Sequence, residues 1–151
     1  MENIKKILEQ KTKEILSHLK VSPKLEVVDE GETFKVVIEG DDLSFLIGYR
    51  GESLNGLQHL LASMLNKELN EWKHVVVDIN GYKDSRKTKI EDMVRNFIDR
   101  VRFHDADVEM PPMNSFERRW VHMYVSEYPD IVSESAGEGR DRRVVLKLKG
   151  R

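Results

Sequence analysis

Apolar residues recur every three or four positions at the start of the chain: Ile4, Ile7, Leu8, Ile15, Leu16 and Leu19. That period predicts an amphipathic helix over residues 3–19. Val21-Ser22-Pro23 ends it, because proline cannot continue a helix. The period then drops to two. Leu25 and Val27, then Phe34, Val36 and Ile38, alternate with polar residues on either side of Asp29-Glu30-Gly31-Glu32. This is the signature of an antiparallel hairpin with one buried face. Asp41 or Asp42 is placed to cap a short apolar helix of Leu43, Phe45, Leu46 and Ile47. Gly48-Tyr49-Arg50-Gly51 interrupts it, and a second helix over 52–66 carries Leu54, Leu57, Leu61, Met64 and Leu65 on one stripe. Val75, Val77 and Ile79 predict a strand, and Asn80-Gly81 closes the first half.

The second half opens with a long helix over 82–103, its stripe Ile90, Met93, Val94, Phe97, Ile98 and Val101 and its first turns rich in Lys83, Arg86, Lys87 and Lys89. Val108 and Met110 suggest a short strand, and Pro111-Pro112-Met113 a stiff connector. Asn114 or Ser115 can cap a helix running to about residue 127, with Phe116, Trp120, Val121, Met123 and Tyr124 on its apolar side. Strands follow over 131–136 and from Val144 to Leu148, joined by a glycine-rich turn. The order α-β-β-α-α-β, then α-β-α-β-β, with short antiparallel strands, is α+β architecture.

The chain has 151 residues, enough for one domain or two small ones. No apolar run approaches the roughly 20 residues of a membrane helix, and the polar start Met1-Glu2-Asn3-Ile4-Lys5-Lys6 is not a signal segment. The absence of cysteine excludes disulfides, thiolate-held metals and a cysteine nucleophile. It fits a cytoplasmic protein. The net charge of −2 hides an asymmetry. Residues 1–81 hold ten Lys/Arg against fourteen Asp/Glu, and residues 82–151 hold fifteen against thirteen. Residues 140–151 carry six basic side chains and one acid, Asp141. Screening confines each charge to about 8–10 Å, so a local basic patch outweighs the total.

Two segments carry candidate chemistry. Gly48-Tyr49-Arg50-Gly51 is either a plain turn between helices or a backbone clamp. Two glycines allow a sugar-phosphate chain to approach closely, the next helix offers free N–H groups, and Arg50 adds a permanent charge. Trp120, between Arg119 and Val121 with Phe116 one turn back, reads as core first, and Tyr49, at a loop tip, is the better base-stacking candidate. Arg118 and His122 lie four apart, on one helix face. They are either a solvated arginine with a packing histidine or a pair of ligand contacts. Enzyme motifs are lacking: there is no phosphate loop of the GxxxxGK[ST] type and no HExxH. His18, His59, His74 and His104 are scattered, and Ser133 and Ser135 have no motif around them. Asp41-Asp42 and Asp105/Asp107 read as caps and loops. No catalytic residue, metal site or cofactor is expected.

The stretch Leu46-Ile47-Gly48-Tyr49-Arg50-Gly51-Glu52-Ser53-Leu54 in its α-β-β-α-α-β setting resembles a bacterial type II KH domain, in which the GxxG loop clamps about four single-stranded nucleotides. The run from Pro111 to His122, with Glu138-Gly139-Arg140-Asp141-Arg142-Arg143-Val144-Val145, is similar to the R-three-H (Arg-x-x-x-His) domain, a family associated with single-stranded nucleic acid. The pairing of the two looks like the Jag family, the SpoIIIJ-associated RNA-binding proteins of bacteria. The resemblance implies a helix over 1–20 packing on a KH domain of residues 21–81, then an R-three-H domain of residues 82–151. It implies RNA contacts at Gly48, Tyr49, Arg50 and Gly51, at the signature pair Arg118 and His122, and at Arg142 and Arg143 of the basic C-terminal segment. It also implies single-stranded RNA as partner and post-transcriptional regulation linked to cell elongation or division. Many members carry a further N-terminal Jag domain, and this chain reads as a short form without it. The alternative is an adaptor whose KH surface pairs with another small KH protein or with itself.

Overall fold

Residues 2–150 are described by the computed structural model, whose contacts divide after Lys83 into two units. Helix α1 (Glu2–His18) opens the first unit and buries Ile4, Leu8, Thr12 and Leu16, one per turn. The Thr12 hydroxyl donates to the Leu8 carbonyl at 2.6 Å, so its polar atom is satisfied inside the core. Strands β1 (Lys24–Asp29) and β2 (Thr33–Glu39) form the expected antiparallel hairpin, with Lys24 opposite Glu39 and Asp29 opposite Phe34. At its turn the Gly31 N–H donates to the Asp29 carboxylate at 2.9 Å.

The chain then runs through α2 (Ser44–Ile47), a 3-10 turn (Tyr49–Gly51) and α3 (Glu52–Leu69) into β3 (His74–Ile79). Strand β3 lies on the free side of β2 and runs parallel to it, from Thr33 opposite His74 to Ile38 opposite Ile79. The expected antiparallel pairing is thus wrong for this strand. The reason is the connection: two helices carry the chain back to the end of the sheet where β2 began, and such a crossover yields a parallel neighbour. The Val77 N–H at the outer edge is met by the Gln58 side-chain oxygen of α3 at 3.0 Å. Phe34, Val36, Ile38, Val75, Val77 and Ile79 share one core with Leu54, Leu57, Leu61 and Leu65 of α3 and the stripe of α1.

The start of α2 also differs from expectation. Leu43, not Asp41 or Asp42, is the capping position, and no side chain caps the helix. Burial of Leu43 in the core sets this start, and its carbonyl accepts from the N–H groups of Leu46 and Ile47 at 3.0 and 3.2 Å.

Helix α4 (Tyr82–His104) leads into the second unit, where Ile90, Val94, Ile98 and Val101 are buried. Strands β4 (Val108–Glu109), β5 (Ile131–Ala136) and β6 (Arg143–Leu148) form an antiparallel sheet in the order β4-β6-β5. Helix α5 (Ser115–Val125) packs on it through Val121 and Val125. Asn114 caps α5 as its sequence suggests, accepting from the Glu117 N–H at 2.9 Å, and its amide returns a bond to the Glu117 carboxylate at 2.8 Å.

The apolar side of α5 is narrower than the sequence pattern implies. Phe116 and Met123 were expected on it, yet they are 63% and 61% exposed, while Trp120 and Tyr124 pack at its margin. The inward line is Glu117-Val121-Val125. Glu117, only 2% exposed, is drawn in by an ion pair with Arg86 of α4, Nε to Oε2 2.7 Å. That pairing rotates Phe116 and Met123 outward.

Candidate nucleic-acid interface

The GxxG segment is built by backbone constraint. Gly48 sits at φ 72°, ψ −177°, a conformation open essentially to glycine alone. A Cβ there would lie 2.3 Å from Ser53 Oγ and 2.9 Å from the Ser53 backbone nitrogen. The glycine therefore lets α2 press against the first turn of α3. Gly51 is left-handed at φ 76°, forms the N-terminal boundary of α3 and provides no side-chain cap. The first-turn N–H groups of α3 thus start beneath the loop without a side-chain acceptor from the capping residue. Between the glycines, Arg50 is itself left-handed at φ 53°. The result is an outward tip: Tyr49 is 65% exposed, and the Arg50 guanidinium lies 4.6 Å from the centre of its ring. Such a cation–π contact holds the pair as one flat, positively charged surface.

Lys83 and Arg86 at the start of α4 have other work. Lys83 donates to the Gln58 side-chain oxygen at 2.6 Å. Burial pulls its ammonium below the usual lysine range, Asp78 opposes that, and Lys35 adds to it. Arg86 is committed to Glu117.

In the second unit, α5 and the β5–β6 connection enclose an open depression of about 480 Å³. It is lined by Ser115, Arg118, Arg119, His122, Met123, Ser126, Ser135 and Arg142, with no carboxylate among them. Arg118 is anchored by a bond from its guanidinium to the Met113 carbonyl at 2.6 Å, and Arg142 by one to the Gly137 carbonyl at 2.7 Å. Each anchored guanidinium keeps further N–H donors for a ligand. Arg119 is exposed and has no ion-pair partner among the described residues.

His122 is clamped from both sides. Its Nδ1 is 2.7 Å from the Ser133 hydroxyl and its Nε2 3.1 Å from the Ser135 hydroxyl. Burial, and then the charge of Arg118, lower its pKa, so the ring is neutral at neutral pH. The imidazole ties α5 to β5, with Arg118 one turn away on the same face.

The structure thus gathers Arg118, His122 and Arg142 around one depression, and Gly48–Gly51 around another tip in the first unit. Arg143 is not among the lining residues. Its Nε lies 3.3 Å from the Glu109 carboxylate and its guanidinium donates to the Asp141 carbonyl at 3.1 Å. It precedes the inward-facing Val144 and so points to the other face of the sheet. Three residues of this site do not stand out in the sequence. Arg119 is overshadowed by the Arg-x-x-x-His pair. Ser133 and Ser135 carry only the spacing of two that puts both hydroxyls on one strand face.

Among the described residues no helix is long and apolar enough to cross a membrane. Residues 5–79 match the family described as KhpA/KhpB, KH domain, and residues 88–148 match the R-three-H domain family. A protein of Clostridium symbiosum named RNA-binding protein KhpB is 34% identical over 125 residues, which cover 81% of this chain and 56% of that protein. Another of the same name in Bacillus subtilis is 32% identical over 125 residues, 82% of this chain and 60% of that protein. The chain therefore spans somewhat over half the length of these curated relatives. By both halves and their order, the chain joins a KH domain of the KhpA/KhpB family to an R-three-H domain.

Proposed function

We propose that this chain is a non-enzymatic, cytoplasmic protein that binds single-stranded RNA. The observation that carries the reading is the depression ringed by Arg118, Arg119 and Arg142 without a carboxylate. Guanidiniums held at fixed positions around one hollow suit phosphate oxygens, which they can meet bidentately. The exposed Tyr49–Arg50 tip adds a second contact, where the ring takes a base and the charge a phosphate. Two modest sites on one chain raise each other's local concentration for a shared strand. The relatives' name, RNA-binding protein KhpB, supports the same reading. The wider role we assign by family resemblance is post-transcriptional regulation tied to cell elongation or division.

The test is titration of the full chain with single-stranded RNA by fluorescence anisotropy. Replacing Tyr49 and Arg50 by two aspartates sets carboxylates where phosphate should sit and should weaken binding at least about tenfold. Unchanged affinity would remove the loop from the interface.

A second reading is pairing with another small KH protein or with itself. Phe45 of α2 and Leu60 of α3 favour it, since both are about half exposed on the helices of the first unit. Apolar pairing should survive high salt, whereas RNA binding should not.

A further inference from the structure

We propose that the outer face of α5 carries a nucleobase-stacking subsite, made by Phe116 and Met123 beside the arginine depression. This rests on the reading above, that the depression takes single-stranded RNA, and names what the site grips besides phosphate.

Helix α5 advances about 100° per residue. Around its axis, Arg118, His122, Ser115, Ser126 and Arg119 follow one another from the edge of the buried line Glu117-Val121-Val125 outward. Met123 comes next after Arg119, and Phe116 lies only about 20° beyond Met123 on the same wheel. The two apolar side chains are thus a stripe along the edge of the cationic surface. They stand about 10 Å apart along the axis, with Arg119 between them.

Packing does not account for them. They are 63% and 61% exposed, while their neighbour Trp120 packs against the core of this unit. Nor does helix stability, since polar long-chain residues serve an exposed helix position at least as well. Met123 also lines the depression itself, so the apolar stripe and the arginines form one surface. A ligand that matches it must offer negative charge and a flat apolar face at short spacing. A single-stranded nucleotide offers both: phosphate to Arg119, and a base to the Phe116 ring or the soft Met123 thioether. Duplex RNA is a poor match, because its bases are stacked on one another. An acidic protein would satisfy the charge but has no need for the regular pairing of ring and phosphate.

The experiment compares two probes of equal charge and length on the full chain: a single-stranded oligonucleotide with bases, and an abasic sugar-phosphate strand. The wild type should prefer the strand with bases. Phe116→Ala with Met123→Ala should reduce affinity for that strand by between about fivefold and about 150-fold, the range for one lost stacked base. The same variant should bind the abasic strand as the wild type does. Arg119→Gln should weaken both probes alike. As an independent readout, Phe116→Trp should show fluorescence quenching with the base-bearing strand and none with the abasic one. The inference is overturned if the double variant binds the base-bearing strand as tightly as wild type, or if it loses both probes equally. It is also overturned if the wild type does not distinguish the probes. Failure of the underlying reading looks different: the arginine variant would then leave both affinities untouched.

Discussion

Three glycines of the first unit should respond to alanine in three different ways. At Gly48 the backbone lies at φ 72°, ψ −177°, and forcing an alanine there costs of order 1–3 kcal/mol before any contact is counted. The new methyl would also stand 2.3 Å from Ser53 Oγ and 2.9 Å from the Ser53 nitrogen. The hydroxyl can turn away but the backbone of α3 cannot, so α2 and α3 must separate. The total should reach about 3 kcal/mol or more. At Gly51 the conformation is ordinary left-handed, worth about 1–2 kcal/mol. The nearest atom is Tyr82 Cε1 at 2.9 Å, on a side chain able to shift. At Gly56, inside α3, nothing lies within 4 Å of the new methyl. There alanine should stabilise by about 0.5–1 kcal/mol, because glycine is the poorer helix former. Amide hydrogen exchange of the protected amides in β2 and α3 reads the stability of this unit alone. Gly48→Ala within about 0.5 kcal/mol of wild type, or Gly56→Ala as damaging as Gly48→Ala, would refute the reasoning; both thresholds follow from the costs just given.

Glu117→Ala leaves the Arg86 guanidinium largely buried without its partner, and the second unit should lose about 3 kcal/mol in urea denaturation. Glu117→Gln, which keeps the shape, should lose less. His122 has a folded pKa below its unfolded value of about 6.5. The unfolded chain therefore takes up the proton first, and the stability that neutral His122 contributes is full above about pH 6.5 and declines as pH falls below it. His122→Gln should flatten that part of the stability profile, measured as urea midpoints across the pH range. Ser133→Ala with Ser135→Ala should loosen the ring of His122, visible as sharply altered imidazole chemical shifts, and should weaken RNA binding less than loss of Arg119.

Much of this architecture is legible in the apolar periods. Each helix and strand follows from them, while the Asn114 cap follows from side-chain chemistry and the outward position of Tyr49 from its place at a loop tip. The parallel direction of β3 is not, because it is decided by the length and path of α2 and α3 rather than by the strand's own residues. The rotation of α5 is hidden for a related reason. Phe116 is as hydrophobic as Val121, but the Arg86–Glu117 pair joins residues 31 apart in sequence, and that long-range bond chooses which face turns inward. The site divides the same way. Arg118 and His122 share a helix face by spacing alone, and Arg142 reaches them only because the β5–β6 hairpin folds back over α5. Arg143 is set apart by strand alternation: one residue further on, the side chain crosses the sheet to Glu109.

The salt dependence of RNA binding tests the central claim most directly. If Arg50, Arg118, Arg119 and Arg142 each meet a phosphate, log affinity of the full chain should fall with log salt at a slope of roughly −3, from about −0.7 per contact on a single strand. Changing Arg118, Arg119 and Arg142 together to glutamine keeps their stems and a donor for the Met113 carbonyl. The slope should then shrink to about −0.7, the share of Arg50. A wild-type affinity indifferent to salt, or a triple variant with the full wild-type slope, would contradict the account.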